Sequence, residues 1–272
     1  MKTKKLLQIL KFDLTQGILH RWYVYILAAL AVVLFAVDRW QHLRLIIEHP
    51  GTMDIFTDLF LGMEEYIPME KENGFEIPYR YFTIFVLMGL SASQYACREW
   101  KERGRLYLLP YGDKRIWWAG KCIWNLCNTA LLYLTGIATV WLVAEVGGNA
   151  GFGVSEDLSE ALGYMLLNPH KNTIFLYTIV LGMAAVAALN QMQITLQVIF
   201  SPVWGFLIYI SVLISSVYYL SLYFMGNYFM LLRTRLFLED GISFAPAIMI
   251  SVLVWAVFVI IGIIGVQRKD VL

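Results

Sequence analysis

Charge is scarce in this 272-residue chain: Asp, Glu, Lys and Arg make up 15% of it, against about 25% in soluble globular domains. With 59% hydrophobic residues and a mean hydropathy of +0.63, the composition excludes a soluble protein and reads as a polytopic membrane protein. Cysteine is nearly as scarce. Cys97, Cys122 and Cys127 are the only three, and their expected place at the inner membrane face or within an apolar run excludes a disulfide framework, leaving them as buried thiols. The four histidines, His20, His42, His49 and His170, all fall outside the apolar runs. No run carries a charge at its middle, so nothing in the spans names a cargo. A net charge of +1 gives no ground for a nucleic-acid partner.

The sequence does contain long apolar runs. A helix needs about 17 to 25 such residues to cross roughly 30 Å of hydrocarbon, and six candidates stand out, at 22–37, 81–96, 122–146, 173–189, 203–222 and 244–266. The first two are short and borrow flanking residues. Unpaired backbone polar groups are intolerable in lipid, and the runs are too long and unalternating for barrel strands. The expected fold is all-α, a bundle of six transmembrane helices.

Basic residues set the orientation. With the N-terminus placed in the cytoplasm, the inner side holds Lys2, Lys4, Lys5, Lys11, Arg21, Arg98, Lys101, Arg103, Arg105, Lys114, Arg115, Lys121, Arg268 and Lys269, fourteen of the 21 Lys and Arg. The first outer loop gathers acids instead, from Asp38 to Glu76. Both termini are therefore expected in the cytoplasm, in a multi-pass protein of the plasma membrane. The start Met1-Lys2-Thr3-Lys4-Lys5 imitates a signal peptide, but no small-residue cleavage site follows the first apolar run, which is expected to be retained.

The densest charge lies between the second and third runs, in CREWKERGRLYLLPYGDKRIWWAGK from Cys97 to Lys121. Each such charge costs roughly 2.5 to 3.5 kcal/mol at a bilayer centre, so the segment must be a cytoplasmic element. Ala96 to Leu109 reads as a short helix ended by Pro110 and Gly112, a compact knob suited to docking on a soluble partner.

Elsewhere, Leu6, Leu7, Leu10, Leu14 and Ile18 recur at helical spacing and predict an interfacial helix over 4–19, with a helix packed on the bundle as the alternative. The loop from Asp38 to Arg80 is expected to form short surface helices. Asn125 and Asn128 share a face of the third span with Thr129 beside them. They serve either as interhelical glue or as the lining of a transport path. Gly182, Ala184, Ala185, Ala187 and Ala188 predict close helix packing, and Asn190, Gln191, Gln193 and Gln197 an uncharged polar turn at the inner face. Tyr223 to Pro246 is expected to form short outer-leaflet helices.

Glu102, Arg103 and Gly104, then Leu108, Leu109 and Pro110, Lys114 and Arg115, and Gly120 and Lys121 together resemble the signature of type 2 ABC exporter permeases, and the resemblance extends over nearly the whole chain. It departs at Arg105, where a Thr is usual, and at Tyr111, Gly112 and Asp113, where small hydroxyl residues are usual. The resemblance implies a cytoplasmic coupling helix between spans 2 and 3, within 97–118, and a permease subunit of an ATP-driven exporter. Its implied partners are two copies of a cytoplasmic ATPase subunit, a second permease copy or a homologous permease, and membrane lipid. Glu99, Trp100, Glu102, Arg103, Gly104, Leu106 and Leu108 would then meet the ATPase, the charges entering a cleft and the apolar side chains anchoring it.

This chain needs no cofactor in that reading, because ATP-Mg is held by the partner. Gly120 and Lys121 do not end a phosphate loop, since Cys122 stands where Ser or Thr is required and Arg115 where the first Gly is. The chain is then not itself an enzyme. Two rivals remain. A non-transporting sensor or scaffold subunit keeps the knob and loses the path. A glutamate-dependent intramembrane protease would use the adjacent Glu64 and Glu65, but no Arg lies near the pair and no histidine lies in a span.

Overall fold

The structure, a computed structural model, describes residues 2–66, 78–93, 95–102 and 114–268. The described residues form helices and turns, with a single isolated bridge between Thr234 and Ile242 in place of any sheet. Lys2–Gly17 forms α1, a short 3-10 turn follows at Leu19–Arg21, and α2 runs Trp22–Leu43. Next come α3 (Thr52–Leu59), α4 (Tyr79–Ala92), α5 (Tyr95–Glu102) and the long α6 (Lys114–Val146). Then α7 (Leu158–Leu162) leads to α8 (Lys171–Phe175), which passes through a π-helical stretch at Leu176–Leu181 into α9 (Gly182–Ile199). The last two are α10 (Pro202–Tyr218) and α11 (Phe244–Arg268).

Four stretches are long and apolar enough to cross a membrane: Lys4–Leu43, Lys114–Val146, Lys171–Ile199 and Phe244–Arg268, with Pro202–Tyr218 a shorter apolar helix. Their outer surfaces stay greasy, as at Leu30 and Leu34 of α2 and Leu253 and Ile260 of α11, all exposed, which is the surface a lipid solvent demands. Local chemistry sets the ends. Ser201 caps α10 by accepting from the Trp204 amide at 3.4 Å with Pro202 in the first turn, and Gly163, at φ 71°, closes α7 in the left-handed conformation.

Several sequence expectations need correcting. The second apolar run is not one helix over 81–96: α4 stops at Ala92, where Ser93 turns extended with ψ 144°. The third helix begins at Lys114, so the end of the expected coupling region is already the first turn of α6. Asn190, Gln191, Gln193 and Gln197 form no surface turn; α9 continues through them and buries all four. The helix α3, between α2 and α4, is no surface helix either, since all eight of its residues are buried. Its Asp54 accepts from the Gly51 amide at 2.9 Å and from the Ser155 amide and hydroxyl at 2.9 and 2.6 Å, which fastens α3 to the loop after α6. The stretch after α10 folds as buried 3-10 turns at Met225–Phe229 and Leu231–Arg233.

α1 also turns differently from the pattern of its leucines. Its inward side is Ile9, Asp13, Gly17 and Ile18, while Leu7 and Leu14 are exposed. Gly17 and Gly120 allow this approach: a Cβ on Gly17 would lie 2.3 Å from Trp124 Nε1, and one on Gly120 2.6 Å from Ile9 Cγ2. A comparably close contact joins α10 to α9, where a Cβ on Gly205 would lie 2.7 Å from the Gln193 carbonyl oxygen.

Candidate functional site

Where α1, α5 and α6 meet, three charged side chains are buried together: Asp13, Glu99 and Lys121. The Lys121 ammonium donates to both Asp13 Oδ1 and Glu99 Oε2. Tyr95 completes one side by donating its hydroxyl to Asp13 Oδ1 at 2.8 Å, and Trp117 Nε1 donates to Glu99 Oε1 at 3.0 Å. The ammonium also lies 4.9 Å from the Tyr95 ring centroid and 5.2 Å from that of Trp117, so aromatic faces share its charge. A carboxylate or ammonium taken from water costs several kcal/mol, recovered only where geometry and further hydrogen bonds are good.

The apolar floor under this cluster is built of tryptophan. Trp100, Trp117, Trp118 and Trp124 are all buried there, with the Trp100 and Trp117 rings 4.9 Å apart and edge-on. Trp118 Nε1 donates to the Val259 carbonyl at 3.0 Å and so carries the cluster across to α11.

Glu99 and Trp100, expected as contacts to the ATPase, are both turned into the bundle, one held by Lys121 and the other packed edge-on against Trp117. Glu102 ends α5, while Arg103, Gly104, Leu106 and Leu108 lie outside the described residues, as do Pro110 and Gly112. Nothing in the local pattern marks Asp13 or Lys121 as partners.

Above the cluster runs a ladder of uncharged polar groups. Asn125 Nδ2 donates to the Ala187 carbonyl at 2.9 Å and to Gln191 Oε1 at 3.2 Å, tying α6 to α9. Asn128 Nδ2 donates to Ser91 Oγ at 3.0 Å and its Oδ1 accepts from Tyr25 at 2.7 Å, tying α6 to α4 and α2. Gln193 and Gln197 of α9 reach the Gly89 carbonyl and Ser93 Oγ at 3.0 and 3.1 Å. Thr129 is buried beside them. Asn125 and Asn128 thus donate their amide N–H groups to neighbouring helices.

The opposite end of the bundle holds a second cluster. Asp58 of α3 is surrounded by Arg39 at 3.7 Å, Arg80 at 3.8 Å and His42 at 3.4 Å. Burial pushes the Asp58 carboxyl above its ordinary range, against the pull of Arg39, Arg80 and His42. Nearby, Arg233 is wholly buried and directs all of its N–H groups at oxygens. Nε donates to the Met63 carbonyl at 3.0 Å, one terminal nitrogen to the Glu64 and Val217 carbonyls at 2.8 and 2.7 Å, and the other to Asn227 Oδ1 at 2.5 Å and to the Ser216 carbonyl. Ser216 and Val217 close α10, so the guanidinium caps that helix.

Among the described residues, no three His, Cys, Asp or Glu side chains converge as a metal site would. No protein-family profile matches the chain, and neither a curated protein nor a solved structure matches it.

Proposed function

We propose that the chain is the membrane-spanning permease subunit of an ATP-driven exporter of the type 2 ABC kind, coupling hydrolysis by a separate ATPase subunit to movement of a substrate across the membrane. The observation that carries this reading is the anchoring of α5. The polar segment before α6 starts from a helix tied to α1 by the Tyr95–Asp13 hydrogen bond and to α6 by the Glu99–Lys121 ion pair. A push on the segment would pass into α6, 33 residues long, without loss in a soft joint. Six spans, cytoplasmic termini, two ATPase copies and a second permease belong to the same proposal.

Because Glu99 faces inward, Glu102 is the α5 acid that this reading leaves for the motor. Glu102→Lys should weaken co-purification of the ATPase encoded with the permease, while the permease stays in the membrane. Full retention of the complex together with undiminished ATP-driven transport in vesicles would sink the proposal.

A non-transporting sensor or scaffold subunit is the second reading. It is favoured by one observation: Asn125 and Asn128, the candidate lining of a path, are engaged between helices. ATP-dependent substrate uptake by vesicles holding the purified complex decides between the two.

A further inference from the structure

A cleft of about 490 Å³ opens beside α1 and α2, between the 3-10 turn that joins them and the junction of α4 with α5. It falls within the range of small-molecule sites, about 300 to 1,000 Å³. His20, Arg21 and Arg98 line it together with Phe12 and Leu90, so one wall is cationic and another apolar. Glu99 also borders the cleft, but its carboxylate is already met by Lys121 and Trp117.

Arg21 is held in place from behind. One terminal nitrogen donates to the Ser91 carbonyl at 2.9 Å, in the last turn of α4, which fixes the plane of the guanidinium where it borders the cleft. The depth is set by the neighbours: Leu19 and Trp22, on either side of Arg21, are exposed, and the exposed apolar face of α2 begins there. That is the level at which phosphate headgroups meet acyl chains.

We infer that this cleft binds the phosphodiester headgroup of an anionic lipid, with Arg21 and Arg98 on the phosphate oxygens and the first acyl carbons against Leu90 and Phe12. A guanidinium fork matches two phosphate oxygens as an ammonium does not. Basic pockets between helices at a membrane surface are the usual form of headgroup recognition. The volume exceeds what a bare phosphate ion would fill. The inference needs only the membrane placement of α2 and stands whether or not the exporter reading does.

The test uses the full chain purified in a neutral detergent, titrated separately with phosphatidylglycerol, phosphatidylcholine and inorganic phosphate, with retained lipid counted by native mass spectrometry and thermal shift recorded in parallel. Phosphatidylglycerol should be held at least about tenfold more tightly than phosphatidylcholine, and Arg98→Gln should remove about tenfold of that, the loss typical of one charge-assisted hydrogen bond. Arg98 is exposed, and the thermal unfolding of Arg98→Gln without lipid reports whether its fold is kept. Lys11→Gln, an exposed cation outside the cleft, should change nothing. Equal binding of the two lipids, an equal response to inorganic phosphate, or a Lys11→Gln loss as large as that of Arg98→Gln would each overturn the assignment.

Discussion

Lys121 donates to Glu99 across the joint between α6 and α5, and both side chains are buried. Twenty-two positions separate them in sequence, and the polar segment proposed as the docking knob lies in that interval. The salt bridge therefore ties the start of α6 to α5 on either side of that interval, with Asp13 of α1 as its third member.

Removing the cation alone should be costly. Lys121→Met leaves Asp13 and Glu99 facing each other in a dry site without a counter-charge, and breaking a buried pair on one side costs about 3–5 kcal/mol. The single variant should unfold at a clearly lower temperature in detergent. The triple variant Lys121→Met, Asp13→Asn, Glu99→Gln should recover most of the loss, because uncharged groups of similar volume carry no such penalty. If the triple variant is no better than the single one, the ion pairs are not what matters at this joint.

Arg233 offers a second test. Its five N–H groups meet five oxygens drawn from the end of α10, the 3-10 turn and the segment at Met63 and Glu64. Arg233→Lys has three donors in place of five, so two buried oxygens lose their partner at about 1–3 kcal/mol each. A fall in thermal stability of that size is expected. So is faster proteolysis at the Met63 to Glu64 segment than elsewhere. Unchanged stability would mean that water replaces the missing donors.

How much of this was legible in the sequence depended on the range of the interaction that decides each feature. Apolar length alone marks α2, α6 and α11, because the demand of hydrocarbon for an unbroken backbone ladder is local. The break at Ser93 was hidden, since Ser91-Ala92-Ser93 carries neither Pro nor Gly and is stabilised from afar by Gln197. The polar run of α9 looked like a turn because four amides in eight residues suit solvent as well as they suit neighbouring helices. Only the positions of Gly89, Ser93 and Asn125 show that they are used inside. Asp13, Asp58 and Arg233 were hidden for the same reason: their partners come from other elements of the chain, and local pattern is blind to that.

Asp58 predicts a pH dependence. Burial raises its carboxyl pKa in the folded chain despite Arg39, Arg80 and His42, so the folded state binds the proton more tightly than the unfolded one. For an acid shifted upward, stability falls as pH rises through the window from the ordinary value, about 4, up to the raised one. Thermal unfolding recorded across this window should show that downward slope in the wild type. Asp58→Asn should make that slope shallower. A slope of the opposite sign would mean that the pull of the two guanidiniums outweighs burial.

Gly262 and Trp118 make the sharpest steric prediction. A Cβ on Gly262 would sit 2.0 Å from Trp118 Cζ2, well inside any contact that real atoms show, so α11 crosses α6 where it does only because position 262 has no side chain. The indole cannot retreat easily, since Trp118 Nε1 is held by the Val259 carbonyl at 3.0 Å, one turn earlier on the same helix. Gly262→Ala gains helix propensity, roughly 1 kcal/mol, yet should be net destabilising because overpacking costs about 1–3 kcal/mol and breaks the indole hydrogen bond as well. Trp118→Phe shortens the ring and removes that bond on its own. The double variant should therefore be more stable than the sum of the two single losses implies, by about 1 kcal/mol or more for residues in direct contact. Strict additivity in a double-mutant cycle of thermal stability would show that α11 moves freely against α6, and that the tryptophan floor does not set their separation.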